Sequence, residues 1–429
     1  SERVDPAGGV FSALYDDSKR PFRLIDEIGR ATSLVHDPRG RVTEYVYPEL
    51  DRERLEYDIR NNVTKLIKMP KGCTPAANPP YCSPLELTVQ ASWNTLWNKP
   101  DYIIDARGNR TDFTYVPVGT NGTSLLQLAE RPPPETGQPR PTYAFTYNSR
   151  GQLLDATDPT GLVTRNAYFA TSPFNLQTTT LDPGGLNAIT TFAYDPIGNT
   201  TAVTDPRSNV TETAYDNNRR KTVVKHHDGG IGAVLLAASR TTYDLLGQVT
   251  KEEGGTVLSG TNITTWQMLK EATYTKTGQI ETSKNGAGNT TTTFYDAVDR
   301  VDIVQDPQDR KVKNFYDAAG QLLCTWRGWN GAFPGYSGAS TGQPCRWDAP
   351  TSYAGIGPVR YAEFAYTTNG QRATVKDANN NLSQMTYNVF DRLVELNFPN
   401  GTAGSGTASA TDYESYIYDA NGNRTSLTK

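Results

Sequence analysis

Three histidines occur in the 429-residue chain, and nucleophilic chemistry of the Ser/His/Asp or Cys/His kind would need one of them as its base. His36 stands in a slot before Asp37 that other parts of the chain fill with Tyr, so it reads as a strand residue. His226-His227-Asp228 runs into Gly229-Gly230 and reads as a solvated turn, with weak adventitious metal binding as the other reading. The 46 acidic residues include many Asp at turn positions, where capping already explains them, and no displaced carboxylate pair offers an acid and a base. Asp377-Ala-Asn-Asn-Asn381 and Asp419-Ala-Asn-Gly-Asn423 open like calcium loops. Neither has Gly at the sixth position, and Asn388, twelfth from Asp377, is not the bidentate Glu such loops use. The expectation is a chain with no catalytic, cofactor-binding or metal residues, and not an enzyme.

Two other residue types invite chemistry. The four cysteines fall as local pairs, Cys73 with Cys82 and Cys324 with Cys345, with no Cys-x-x-Cys spacing and no nearby His to suggest zinc. A disulfide within each pair is the reading, and four reduced thiols are the alternative. Closing such loops contributes on the order of 3 kcal/mol each, and the bonds would indicate an oxidising, exported setting. Trp326, Trp329, Phe333, Tyr336, Trp347 and Tyr353 lie among glycines. Their flat faces suit stacking on sugar rings, with Trp326, Trp329 and Trp347 as glycan contacts; covering a sheet edge or filling an interior is the plainer role. Trp93 and Trp97, four apart, read as a packed patch.

The elements that carry these residues are written as a repeat. Tyr147 and Tyr168 are 21 residues apart, as are Tyr194 and Tyr215, Tyr274 and Tyr295, Tyr295 and Tyr316, and Tyr366 and Tyr387. A turn follows each Tyr, as in Tyr194-Asp-Pro-Ile-Gly198, Tyr243-Asp-Leu-Leu-Gly247, Tyr316-Asp-Ala-Ala-Gly320 and Tyr418-Asp-Ala-Asn-Gly422, and a second turn lies eleven residues past the Tyr, as at Asp158-Pro-Thr-Gly161 and Asp306-Pro-Gln-Asp309. Asp caps the turn, Pro presets φ, and Gly takes the left-handed position. Turns every ten or eleven residues leave strands of five or six, so one 21-residue unit is one β-hairpin.

Composition agrees. Thr and 24 Tyr suit pleated strands, and 37 Gly with 27 Pro break helices. A net charge of −4 argues against nucleic acid, and no apolar run reaches the length that crosses a bilayer. Neither face of a hairpin is richly apolar, so neighbours must share one growing, coiling sheet, a spiral or barrel-like shell rather than a dense globule.

The Tyr-Asp-x-x-Gly-Arg/Asn and Asp-Pro-x-Gly-x-x-Thr pattern resembles the Rhs or YD-repeat proteins: bacterial polymorphic toxins, the shells of insecticidal toxin complexes, and teneurins. The resemblance runs from about Tyr15 to Tyr418, and the repeat Tyr positions are 147, 168, 194, 215, 243, 274, 295, 316, 366, 387 and 418. The early units look degenerate: Ile25-Asp-Glu-Ile-Gly29-Arg30 lacks the Tyr, and His36-Asp37-Pro-Arg-Gly40 sits one residue out of step. The resemblance implies hairpins wound into a shell that can enclose a polypeptide cargo such as a C-terminal toxin. In many relatives a self-cleaving plug closes the shell, and no such plug sequence follows Tyr418.

Added residues interrupt the period at about 68–100, 116–141, 225–239, 252–272, 327–358 and 400–411, and are expected as loops. Residues 129–141 suit an extended polyproline-like loop and 400–409 a flexible one. No basic-then-apolar leader opens the chain, and both ends read as cut from something longer. Asn-x-Thr at Asn62, Asn109, Asn199, Asn209, Asn289 and Asn423 reads as a by-product of the turns rather than as glycosylation. The expectation is one all-β YD-repeat segment over 1–429, a scaffold of a secreted or cell-surface bacterial protein. Its partner would be a polypeptide cargo or the rest of a longer Rhs-type protein. The alternative is an adhesion or self-assembly module meeting glycans, protein partners or neighbouring copies through its loops or sheet edges.

Overall fold

The structure, a computed structural model, describes residues 1–5, 8–72, 86–118, 123–257, 263–329, 345 and 359–429. These hold thirty-three β-strands and no helix. The paired strands run antiparallel to their neighbours in sequence, so the chain is all-β and built of tandem hairpins, as the 21-residue period predicts.

Two kinds of hairpin alternate. In one, strand Thr142–Tyr147 turns into Leu153–Thr157: Thr146 faces Asp155 and Tyr147 faces Leu153, which leaves Leu154 as an extra residue. In the next, Leu153–Thr157 turns into Val163–Tyr168 without a shift, Asp155 facing Arg165 and Thr157 facing Val163. The bulge answers a parity problem. Side chains alternate faces with period two, so an odd repeat of 21 would send each Tyr to the face opposite the last. One unpaired residue per repeat restores the alternation and keeps every Tyr on the same face.

The bulge also corrects the reading of the early units. Tyr15, His36 and Tyr57 are 21 apart, and each carries the register shift. The Asp26 hairpin has none, Arg23 facing Ser33 and Ile25 facing Ala31. His36 is therefore in step, standing where Tyr belongs, and Asp26 opens a turn of the second kind.

Most of the turns repeat one hydrogen-bond set. At Asp195 the backbone N–H donates to the Asn199 carbonyl and Gly198 N–H donates back to the Asp195 carbonyl, both at 3.0 Å. Oδ1 of Asp195 accepts from the N–H of Ile197 at 3.1 Å and of Asn199 at 2.8 Å. Gly198 has φ +87, the left-handed value this position requires; Arg219, at the same place in the next turn that follows a repeat Tyr, adopts φ 64.

The chain divides into two compact units, one of residues Ser1–Trp93, Ile103–Asn109 and Thr292–Lys429, the other of Asn94–Tyr102 and Arg110–Thr291. Neither holds a thick core. Most strand residues are half-buried, and the buried apolar side chains are scattered, Ile67, Met69 and Cys324 in the first unit and Ala202, Val210 and Leu235 in the second. Stability must come from each hairpin leaning on the next.

Several added segments differ from the loops expected of them. In the second unit the residues added at 116–141, 225–239 and 252–272 mostly lengthen paired arms, giving Arg110–Val118 with Thr123–Glu130, Lys221–Asp228 with Val234–Tyr243, and Val249–Val257 with Ile263–Tyr274. Extending a ladder satisfies backbone groups that a loop would leave to water. In the first unit the glycine-rich stretch after Asn400 is pinned: Asn380 Nδ2 donates to the Gly404 carbonyl at 2.8 Å, and Gly406 N–H to the Asn380 carbonyl at 3.0 Å.

Candidate functional site

The residues that define the repeat meet at the junctions between hairpins. All eleven Tyr positions close a strand. From Tyr147, Tyr168, Tyr215, Tyr243, Tyr274, Tyr316, Tyr366 and Tyr387 the hydroxyl donates to a backbone carbonyl at 2.6 to 2.9 Å. The acceptor for Tyr168 is Leu153, the residue facing the preceding Tyr147. It is Val301, facing Tyr295, for Tyr316, and Arg372, facing Tyr366, for Tyr387. Across a long interruption the rule holds: Tyr366 reaches 44 residues back to Leu322, which faces Tyr316. Trp93 obeys it too, its indole N–H donating at 2.8 Å to the carbonyl of Val63, which faces Tyr57.

Arginine at the fifth turn position supplies a second link. Arg41, Arg220 and Arg300 each pair with their own turn Asp and donate Nη1 to the carbonyl of Asp58, Asp244 and Asp317, the first residues of the next Tyr turns, at 2.9 to 3.0 Å. Their guanidinium groups lie 4.5 to 4.7 Å from the rings of Tyr57, Tyr243 and Tyr316. Where Asn replaces Arg the link shortens to the turn itself: Asn62, Asn109, Asn199, Asn209 and Asn423 donate Nδ2 to the turn Asp Oδ2, at 2.7 to 3.1 Å. These sequon amides are engaged in the turns. The turn carboxylates respond: the N–H and guanidinium of Arg220 hold Asp216 below the usual range, and the Asn209 amide lowers Asp205.

Turn tips far apart in sequence meet in the first unit. Asn369 N–H donates to Glu49 Oε1 at 3.2 Å, and its Nδ2 donates to Asp51 at 2.8 Å and Asp391 at 2.7 Å. The Lys71 ammonium bridges Glu49 and Asp391, and its backbone N–H donates to the Val389 carbonyl at 3.1 Å. Farther along, Asn421 Nδ2 donates to Asp105 at 2.7 Å. A cleft of about 530 Å³ lies beside the Asn369 contacts, lined by Phe11, Leu24, Tyr47, Asp51, Asn369, Phe390 and Asp391 among others. Burial pushes the Asp51 carboxyl up, and the Asp391 charge adds to this against the Asn369 amide. Burial also acts on Glu49, but the Lys71 ammonium and the Asn369 N–H outweigh it and hold that carboxyl low. Burial and the Glu53 carboxylate raise the Tyr47 phenol to about 12.

The individually chosen residues fare unevenly. Cys324 and Cys345 form a disulfide, Cα atoms 5.9 Å apart. Cys73 and Cys82 lie outside the described residues, as does Trp347. Trp326 sits in strand Leu322–Trp329 at 8% exposure, so its ring is packed and offers no open face to a sugar. His226-His227-Asp228 is not a solvated turn. It ends strand Lys221–Asp228, and His227 is 4% exposed, its Nε2 3.5 Å from Glu212 Oε2. The lengthened arm Val234–Tyr243 covers it, which the adjacent glycines do not foretell. Among the described residues no group of three or more His, Cys, Asp or Glu is placed to hold a metal ion.

No protein-family model matches the chain, and no curated protein does. Solved structures share its fold. TcdB2-TccC3-TEV aligns over 99% of the chain with a TM-score of 0.57 and 14% identity. TcdB2-TccC3 without its hypervariable C-terminal region gives 99%, 0.56 and 13%, and the Photorhabdus luminescens Tc holotoxin pore with a TccC3 mutation gives 98%, 0.53 and 12%. The chain spans 22% of the length of each. At this identity the likeness is one of fold: antiparallel hairpins in tandem.

Proposed function

We propose that the chain is a non-enzymatic stretch of wall in an Rhs-type YD-repeat shell that, with the rest of a longer exported bacterial protein, encloses a polypeptide. One observation carries the reading. The residues that make the repeat recognisable, Tyr, Asp and Arg, are engaged in hairpin-to-hairpin links, through Tyr hydroxyls on strand carbonyls and Arg on the next turn. A sequence that repeats its joints rather than a reactive group is what a wall needs. The fold shared with TcdB2-TccC3 structures supports it, and the Cys324–Cys345 disulfide fits an oxidising compartment.

Electron cryo-microscopy of the chain within its natural polypeptide tests the proposal. The expected result is a continuous β wall around a lumen holding weak density for poorly ordered chain. A lumen-free particle, or an open ribbon polymerising through its sheet edges, would overturn it.

A further inference from the structure

Around the cleft beside the Asn369 contacts in the first unit, carboxylates outnumber cations. Its other charged walls are matched: Arg30 pairs with Asp26 at 2.5 Å, Lys68 with Glu53 at 2.7 Å, and Lys71 with both Glu49 and Asp391. Asp51 has the Asn369 amide at 2.8 Å, and no described cation forms an ion pair with it. Residues 73–85, which follow Lys71 in sequence, contain no Lys, Arg or His. A half-buried carboxylate in this position loses hydration and feels only the Lys71 charge, already shared between Glu49 and Asp391, which favours any cation that can enter. The same 530 Å³ space is walled elsewhere by Phe11, Leu24 and Phe390, an apolar surface that water solvates poorly.

We propose that this cleft binds an organic monocation on an aliphatic stem, an alkylammonium or alkylguanidinium, with the charged head at Asp51 and the stem along Phe11, Leu24 and Phe390. A Lys or Arg side chain of a polypeptide and a free amine present the same chemistry. An inorganic cation would leave the apolar wall unused, and an anion would meet four lining carboxylates. A chain that enclosed nothing would carry the same cleft, so failure of the wall reading leaves this site standing.

Calorimetric titration of the folded chain with butylguanidinium, N-acetyl-argininamide and the uncharged N-acetyl-norleucinamide tests it. Both cations should bind and the uncharged control should not. Tighter binding of N-acetyl-argininamide identifies a peptide side chain as the source; tighter binding of butylguanidinium identifies a free small-molecule cation. Asp51→Asn should weaken both cations at least ten-fold while leaving the melting temperature unchanged or higher, since it removes an unmatched charge. Should that variant fold poorly, the wild-type pH profile replaces it: cation binding should fall as acid protonates Asp51, with Glu49 contributing only at lower pH. No binding by the wild type, equal binding of the uncharged control, or affinity indifferent to both Asp51→Asn and pH would overturn the site.

Discussion

The two units are stitched with the same thread but closed differently. In the second, Tyr215 reaches Thr200 and Arg220 reaches Asp244, 15 and 24 residues away. Each hairpin is held by its neighbours in sequence. The first unit has the same links, Tyr316 to Val301 and Arg300 to Asp317, and adds contacts over 318 to 320 residues at Asn369 and Lys71. It also holds the disulfide. Local links need only the next repeat, whereas the distant ones join turn tips of the first unit that no neighbouring repeat brings together. The repeat therefore supplies strength, and the distant tips supply closure.

That contrast can be broken or sharpened by experiment. Reducing the Cys324–Cys345 bond should remove about 3 kcal/mol from the first unit, seen in urea unfolding, and leave amide exchange in the second unchanged. Softening in both would mean that the two do not unfold separately. Arg220→Ala and Arg300→Ala each remove an ion pair, a carbonyl contact and a ring cover, and should each cost about 2 kcal/mol. Unequal losses would show that the joints are not equivalent. Tyr215→Phe and Tyr316→Phe each strand one carbonyl and should cost about 1 kcal/mol by the same measurement. Lys71→Met should cost about 1 kcal/mol or less overall, its charge pairs being partly solvated. Its effect should be local, with faster hydrogen exchange at 367–371 and 388–392 and no change in the second unit.

Acid should separate the regions least. Asp205 and Asp216 have folded values below the ordinary 3.8, so their contribution is present above that pH and is lost as pH falls through the lowered values. Glu49, in the first unit, behaves in the same direction from 4.5. Asp51 is raised, so it costs stability at neutral pH, and that cost disappears as acid protonates it. Circular dichroism across pH 2 to 6 should show turn-dependent unfolding below about pH 4. Hydrogen exchange at 388–392 should rise less steeply than at 216–220.

Much of this was legible from residue spacing. Tyr followed by Asp-x-x-Gly marked strand ends and turns, and every repeat Tyr does close a strand. The spacing did not reveal that the Tyr hydroxyl is a donor or that Trp93 substitutes for it, because either role depends on which carbonyl faces the ring. The bulge was readable in principle from the odd period. His227 was misread because its burial comes from a lengthened neighbouring arm, and the Asp51 cleft was missed because Asp51 and Asn369 are 318 residues apart.

The amino-acid order alone determined what lies within one turn of a given residue: the Asp cap, the left-handed Gly, the strand length and the all-β class. Each rests on interactions spanning about five residues, where the chain has few alternatives. Which turn tips meet, which carboxylate is left without an ion pair and which histidine is buried were decided only in the folded chain. Those outcomes depend on twist and register accumulated over many strands, and no local spacing specifies that sum.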